Sequence, residues 1–290
     1  MGEVLTVMNM KGGVGKTTVS AHIAAASCAY SFGSETPRKV LVIDYDPQFN
    51  LSQVFLPPKK YFQLENDKKT TLAILLDDDA NLNPYKLQVP GNETPPSVTE
   101  LATRVLTYTG GSTLDIVPST LDLMYVALGQ ADTQLKPIEN RFQKFIAECR
   151  ELYDLVIIDC HPAGSLFTKT SLRNSDDVLI PVMPQRYAVR GIGLMMKFIE
   201  SKKHGANGPT PYILFNATNR VGISQEESQI RGNPAFRDYC LTNTLKRYSA
   251  FAEPEDGKGF AWHSKKPYST EASRNIASVT KELLGKIGVK

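Results

Sequence analysis

Long apolar runs are absent from the 290 residues: no stretch of 18 or more occurs, so no membrane-spanning helix is expected. No basic segment followed by an apolar core precedes the first strand pattern, which argues against a secretory leader. Cysteine is scarce. The four present, Cys28, Cys149, Cys160 and Cys240, are far apart and sit among apolar residues. That spacing fits neither a disulfide framework nor a C-x-x-C metal or iron–sulfur site, and it reads as reduced, buried thiols in a cytoplasmic protein. Internal repeats and low-complexity tracts are also missing. What remains is ordinary for a globular chain, with 41% hydrophobic and 22% charged residues.

The net charge of +3 conceals an asymmetry. Residues 201–290 hold 14 Lys and Arg against 8 Asp and Glu, a local +6, while the other 200 residues hold 19 against 22. An anionic partner is therefore sought in the C-terminal third.

The most informative stretch is residues 5–18. A β-branched run from Val4 to Met8 reads as a strand, a glycine-rich turn follows, and small residues from Thr17 through Ala26 continue as a helix. Strand, glycine loop and helix in this order make a phosphate cradle: backbone N–H groups converge on the oxygens, and the helix N-terminus adds partial positive charge. The general pattern G-x-x-x-x-G-K-[ST] makes Lys16 a phosphate ligand and Thr17 a Mg²⁺ ligand. Met10 stands where its first glycine belongs, and a second lysine, Lys11, stands early in the loop. The general pattern leaves Lys11 unexplained.

Further strands are expected at 38–44, 113–119, 153–159, 178–182 and 212–216, because these are near-continuous aliphatic runs of the kind buried on both faces of a parallel sheet. Helical spacing appears at 71–76, 121–130, 138–152, 191–201 and 270–287. Alternating strands and helices predict an α/β, doubly wound, mostly parallel sheet with helices on both faces. One domain spanning 1–290 is expected, with an elaborated surface segment at about 56–111 that is rich in loop compositions around Pro57-Pro58 and Pro95-Pro96. Asn50 or Ser52 could cap a helix after Pro47. The acidic run Asp77-Asp78-Asp79 reads as a solvated helix end.

Two predicted strands end in acids where open α/β sheets place their ligand crevice. Asp159 suits a carboxylate that holds Mg²⁺ through water, and Asp44 on a neighbouring strand end suits the same shell. Asp46 projects on the same side of an extended chain as Asp44. It could therefore face a γ-phosphate, or it could simply cap the turn before Pro47.

The segments Lys11-Gly12-Gly13-Val14-Gly15-Lys16-Thr17-Thr18, Asp44-Tyr45-Asp46-Pro47-Gln48, Leu114–Leu123 and Tyr153–Cys160 together resemble the ParA/MinD family of deviant Walker A ATPases. The likeness covers about residues 1–55 and 112–220. It implies ATP and Mg²⁺ as cofactors, with Gly12, Gly13, Val14, Gly15, Lys16, Thr17 and Thr18 around the phosphates. It also implies that Lys11 reaches across an ATP-dependent homodimer to its partner's phosphates, that Asp46 activates the attacking water, and that Asn216 lies near the adenine. The Asp-Pro-Gln after Tyr45 places the chain on the ParA side, whose members bind DNA without sequence preference. A ParB-like centromere-binding or adaptor protein would stimulate hydrolysis, and the protein would be nucleoid-associated. Candidate DNA contacts are Arg220, Lys246, Arg247, Lys258, Lys265 and Lys266, with Phe260 and Trp262 interleaved. Two departures stand out: His161-Pro162 replaces a usual pair of prolines, and Ala250 or Phe251 falls where the ParA segment carries an arginine. The alternatives are a MinD-like or cargo-positioning ATPase and, from another class, a P-loop synthetase acting on a small carboxylate.

Overall fold

The computed structural model describes residues 1–77, 82–83, 88–127, 135–161, 166–201 and 208–289. The first half runs β1 (Glu3–Val7), α1 (Lys16–Ala29), β2 (Lys39–Tyr45), α2 (Asn50–Phe55), α3 (Pro58–Asn66), α4 (Thr71–Leu75), α5 (Val98–Leu101), β3 (Thr103–Thr107) and β4 (Thr113–Val117). The second half continues through α6 (Leu123–Ala127), α7 (Lys136–Leu152), β5 (Leu155–Cys160), α8 (Leu166–Asn174), β6 (Asp177–Val182), α9 (Ala188–Ser201), β7 (Thr210–Phe215), α10 (Gln225–Gly232) and α11 (Ser269–Lys286).

Seven strands form one sheet in the order β3-β4-β2-β5-β1-β6-β7. All neighbouring pairs are parallel except β3 with β4. The chain leaves β1 toward β2, β4 and β3, then returns to insert β5 beside β1 before moving out to β6 and β7. The order therefore reverses around β1 and β5, which is where such sheets open a ligand crevice. Register brings Asp44 of β2 opposite Asp159 of β5, and Val7 of β1 opposite the same Asp159.

The strands read as unbroken aliphatic runs because helices cover both faces. Along β2, Val40 and Val42 face the cluster made with α1, α2, α3 and α11, while Leu41 and Ile43 face the one made with α4, α5, α7, α8 and α9. Along β5, Leu155 and Ile157 alternate in the same way with Val156 and Ile158. The two-residue period of a strand sorts the side chains between two cores. Cys28, Cys149 and Cys160 are buried free thiols, and Cys240 is half-buried.

The segment 56–111 differs from its expected loop character. Pro57 and Pro58 start α3 rather than a loop, with Pro58 at the first helical position, where a fixed φ and a missing N–H cost nothing. Thr103–Thr107 forms the antiparallel edge strand β3, whose half-buried, short pattern gave no strand signal. Ile74, Leu75, Val98 and Leu101 are buried in the core shared with β2 and α7. Arg141 of α7 pins the segment. Its fully buried guanidinium donates to the carbonyls of Ile74 (3.0 Å), Ala73 (2.9 Å) and Thr94 (2.9 Å) and to Asp77 Oδ1 (2.8 Å). Asp77 is thus a partner of a buried cation, while Asp78 and Asp79 lie outside the described residues, as do residues 128–130 of the helix expected over 121–130.

Candidate nucleotide and nucleic-acid sites

The loop after β1 enters α1 through Gly15, whose φ of 84° is a left-handed conformation that side-chain-bearing residues rarely adopt. A Cβ there would also lie 2.4 Å from Asn216 Nδ2. This close approach has a purpose: Asn216, just past β7, donates its amide to Val14 O at 2.8 Å and accepts from its neighbour Ala217 N at 2.8 Å. Asn216, expected near the adenine, holds the phosphate loop with its side-chain nitrogen. The helix that follows has no acidic residue in its first turn, which leaves the partial positive charge of its N-terminus uncompensated from within the helix.

Thr17 Oγ1 donates to Asp159 Oδ2 at 2.8 Å, and Ser20 Oγ donates to Asp159 Oδ1 at 2.9 Å. Three residues apart on α1, the two hydroxyls face the end of β5 together. Burial pushes the Asp159 carboxyl up to about 6, while both hydroxyls and the Lys16 charge pull against that rise. The donor set is hydroxyl and carboxylate oxygen only, which suits Mg²⁺ and would let Thr17 and Asp159 share one hydrated ion. Among the described residues no group of three or more His, Cys, Asp or Glu side chains forms a ready-made cage, so such an ion would take its other ligands from phosphate and water.

Asp44 is fully buried and turned toward α2. Its Oδ2 accepts from Ser52 N at 2.8 Å and Ser52 Oγ at 2.7 Å. Burial, reinforced by the Asp159 charge, pushes it up to about 8. Asp44 therefore anchors the first turn of α2 through Oδ2, while its Oδ1 accepts from Asp46 N at 3.4 Å, and Ser52 serves that anchor rather than a helix cap. Residue Phe49, in a left-handed conformation with φ 44°, precedes the helix instead. Asp46 is half-buried at the mouth of the crevice, and its Oδ1 accepts from Gln48 N at 3.0 Å. His161 N donates to Tyr45 O at 3.3 Å, while its Nδ1 is buried without a partner; Pro162 lies outside the described residues.

Lys11 is exposed, and its Nζ donates to Gln185 Oε1 at 2.6 Å, beyond β6. Beneath it Asn9 ties the phosphate loop to β6, donating to Pro181 O at 2.8 Å and accepting from Lys11 N at 2.9 Å.

The basic candidates fall into separate places. Thr218, Asn219, Arg220, Arg247, Tyr248 and Tyr268 line an open cleft of ≈ 500 Å³ beside the end of β7. Arg220 lies over the Tyr268 ring at 4.3 Å, and Lys246 Nζ donates to Arg220 O at 3.0 Å. Lys265 and Lys266 approach on the exposed turn leading to Tyr268, with Lys266 Nζ 3.4 Å from Glu253. Lys258 does not line this cleft. It sits in a turn closed on Glu255, within which Gly257 donates to Val54 O of α2 at 2.8 Å. The interleaved aromatics are not a base platform either: Phe260 is fully buried and stacks on half-buried Trp262 at 5.3 Å.

Sequence reasoning missed Ser20, Gln185 and Tyr268, and read Ser52 as a cap. Only Ser20 carried a local signal, its place one helical turn beyond Thr17.

A parallel sheet reversing at β1, a phosphate loop after that strand and an acid at the adjoining strand end define a P-loop NTPase-like fold. Residues 2–208 match the AAA_31 family, described as an AAA domain, and the chain belongs to that family as a ParA/MinD-type ATPase. Among curated relatives it is similar to the sporulation initiation inhibitor protein Soj of Bacillus subtilis, 29% identical over 96% of this chain and 97% of that one. Among solved structures it resembles a plasmid partition protein of Borrelia burgdorferi B31 bound to AMPPNP, with TM-score 0.70, 19% identity and 99% and 100% coverage. It also resembles pNOB8 ParA bound to nonspecific DNA, with TM-score 0.65, 20% identity and 99% of each chain covered. Cobyrinic acid a,c-diamide synthase of Mycobacterium smegmatis, with an ATP analogue and magnesium, superposes at TM-score 0.60, with 22% identity over 98% and 95% of the chains.

Proposed function

We propose that this chain is a partition-type switch. ATP and Mg²⁺ bind at the loop Lys11–Thr18, Lys11 reaches the phosphates of a second copy, and the resulting dimer holds duplex DNA without sequence preference. Hydrolysis, slow alone and stimulated by a ParB-like or adaptor partner, then releases it, segregating or positioning DNA on the nucleoid. In this reading Lys16 takes the β- and γ-phosphates, Thr17 and Asp159 hold Mg²⁺ with Asp44 in the outer shell behind them, and Asp46 orients the attacking water. Arg220, Lys246 and Arg247 meet DNA phosphates, and all of this is the work of one domain.

The observation that carries the reading is Lys11. A lysine of the phosphate loop stands exposed at the rim, tied to Gln185 rather than folded toward its own loop. A chain serving only its own nucleotide has no use for it. The Soj relative and the DNA-bound pNOB8 ParA support the partition reading. The MinD-like alternative needs an apolar face free to enter a membrane, yet Ile276, Val279, Leu283 and Leu284 of α11 are buried in the core shared with α1. A synthetase shares the fold, as the diamide synthase illustrates, but it leaves Lys11 and the basic cleft without work.

The test is light scattering of the chain with Mg²⁺ and a non-hydrolysable ATP analogue. The parent should form dimers and Lys11→Ala should remain monomeric while still binding nucleotide. Dimerisation and turnover both intact in Lys11→Ala would overturn the switch.

A further inference from the structure

We propose that Ser119 is a positioning residue for Asp46, and that α3 backs it through Tyr61; the inference rests on Asp46 orienting the attacking water. Ser119 lies just past β4 and is fully buried. Its Oγ donates to the carbonyl of Asp46 at 2.7 Å, and its N–H donates to Ser52 Oγ at 2.9 Å. Ser52 Oγ in turn donates to Asp44 Oδ2. One serine from β4 thus fixes the backbone of Asp46 and, through Ser52, the carboxylate of Asp44. The Asp46 carbonyl has a second donor, Phe49 N, at 2.9 Å, so the turn Asp46–Phe49 is closed on the oxygen that Ser119 grips.

Behind this turn stands Tyr61. Its hydroxyl is 3.1 Å from Ser119 O and 3.1 Å from Glu65 Oε1, the same oxygen that accepts from Thr120 Oγ1 at 2.8 Å. Its ring stacks on Phe49 at 5.1 Å and 18°. Phe49 is an aromatic residue at φ 44°, a conformation that persists only where neighbours over-determine it. Tyr61 therefore holds both sides of the turn: Phe49 by its ring and Ser119 by its hydroxyl. These hydroxyls and the ring are engaged by protein partners, and their effect on the reaction is to fix where the Asp46 carboxylate stands. The early part of the 56–111 segment acquires a task in this way, acting on the crevice without lining it.

An attacking water must be aimed within a fraction of an ångström, and a misplacement of about 1 Å can cost on the order of a hundredfold in rate. The experiment compares Ser119→Ala, Ser119→Thr, Tyr61→Phe and Asp46→Ala in the full chain. Steady-state ATP turnover, affinity for a fluorescent ATP analogue with Mg²⁺ and melting temperature are measured for each. Ser119→Ala should lower turnover about tenfold or more, with nucleotide affinity within about twofold of the parent. Ser119→Thr, which keeps the hydroxyl, should restore most of the loss, and Tyr61→Phe, which keeps the ring, should cost about threefold. If Asp46→Ala lowers turnover but Ser119→Ala does not, Ser119 has no positioning role, though the ATPase reading stands. If Ser119→Ala loses affinity and melting temperature in step with turnover, and Ser119→Thr restores none of them, its role is structural only. If Asp46→Ala itself turns over normally, the assignment of Asp46 falls and this inference falls with it.

Discussion

The crevice between β1, β5 and β2 and the cleft beside β7 both open at the carboxyl end of the sheet, yet they are built by opposite means. In the crevice the acids are buried and their oxygens already engaged: Asp159 by Thr17 and Ser20, Asp44 by Ser52. In the cleft the cations are exposed, held by a ring face and a backbone carbonyl. A crevice that must aim atoms is rigid before its ligand arrives. A surface that meets a uniform phosphate backbone needs charge and reach, and its geometry can stay loose. The difference teaches where each kind of site tolerates change, and substitutions can break the contrast.

The largest effect is expected in the crevice. Gly15→Ala places a Cβ 2.4 Å from Asn216 Nδ2 on a residue with φ 84°. Calorimetry with ATP and Mg²⁺ should show affinity reduced by about a hundredfold or more, since a misplaced loop loses several charge-assisted contacts at once. Adding Asn216→Ala removes the close contact but not the dihedral strain, so it should restore only part of the loss. Normal affinity in Gly15→Ala would mean that the loop is as forgiving as the cleft.

A smaller effect is expected in the cleft. Arg220→Ala with Arg247→Ala should weaken binding to a random duplex by about thirtyfold in moderate salt and make the plot of log affinity against log salt shallower by about two. Lys258→Ala, which lies outside the cleft, should stay within about twofold. Fluorescence anisotropy across a salt series reads both. If Lys258→Ala costs as much as the arginine pair, the DNA surface spreads over α2 and β3 and the cleft is not its centre.

The same contrast explains what could be read in advance. The phosphate loop is contiguous, so strand, turn and helix announce themselves in residues 4–26, and the acids ending β2 and β5 follow aliphatic runs that only a doubly covered sheet requires. The cleft draws on residues 218–220, 247–248 and 268, three segments whose local composition carries no signal of their meeting. Lys258 and Phe260 looked like part of one basic and aromatic stretch. The turn at Gly257 and the burial of Phe260 send the two in different directions. Likewise, Arg141 resembles any surface arginine of an amphipathic helix until the carbonyls of α4 are found around it. Polar groups whose partners lie far away in sequence are what pattern reading cannot supply.

The two sites meet at His22, and the smallest predicted effect lies there. His22 sits on α1 one turn beyond Thr18. Its Nδ1 is 2.9 Å from Thr18 O, a carbonyl that only accepts, so Nδ1 carries the proton. Its Nε2 is buried without a partner, enclosed edge-on by Phe251 at 5.0 Å and Phe260 at 5.5 Å. These rings belong to the segment that leads to Tyr268, so the imidazole joins the phosphate-loop helix to the foundations of the cleft. Burial lowers its pKa to about 4, well under the 6.5 of an exposed imidazole, and the unfolded chain therefore takes up the proton first as pH falls. Stability contributed by neutral His22 is complete above about pH 6.5 and is lost progressively as pH drops toward 4, by at most about 1.4 kcal/mol per pH unit, a tenfold change in the folding equilibrium. Buried Asp44 and Asp159, whose carboxyls are raised, contribute with the opposite sign over the same range, so the slope is read as the difference between the parent and His22→Gln in urea titrations between pH 4 and 7. An unchanged slope would mean that the ring is already protonated or hydrated in the folded chain, and that the packing joining the two sites is looser than the aromatic contacts imply.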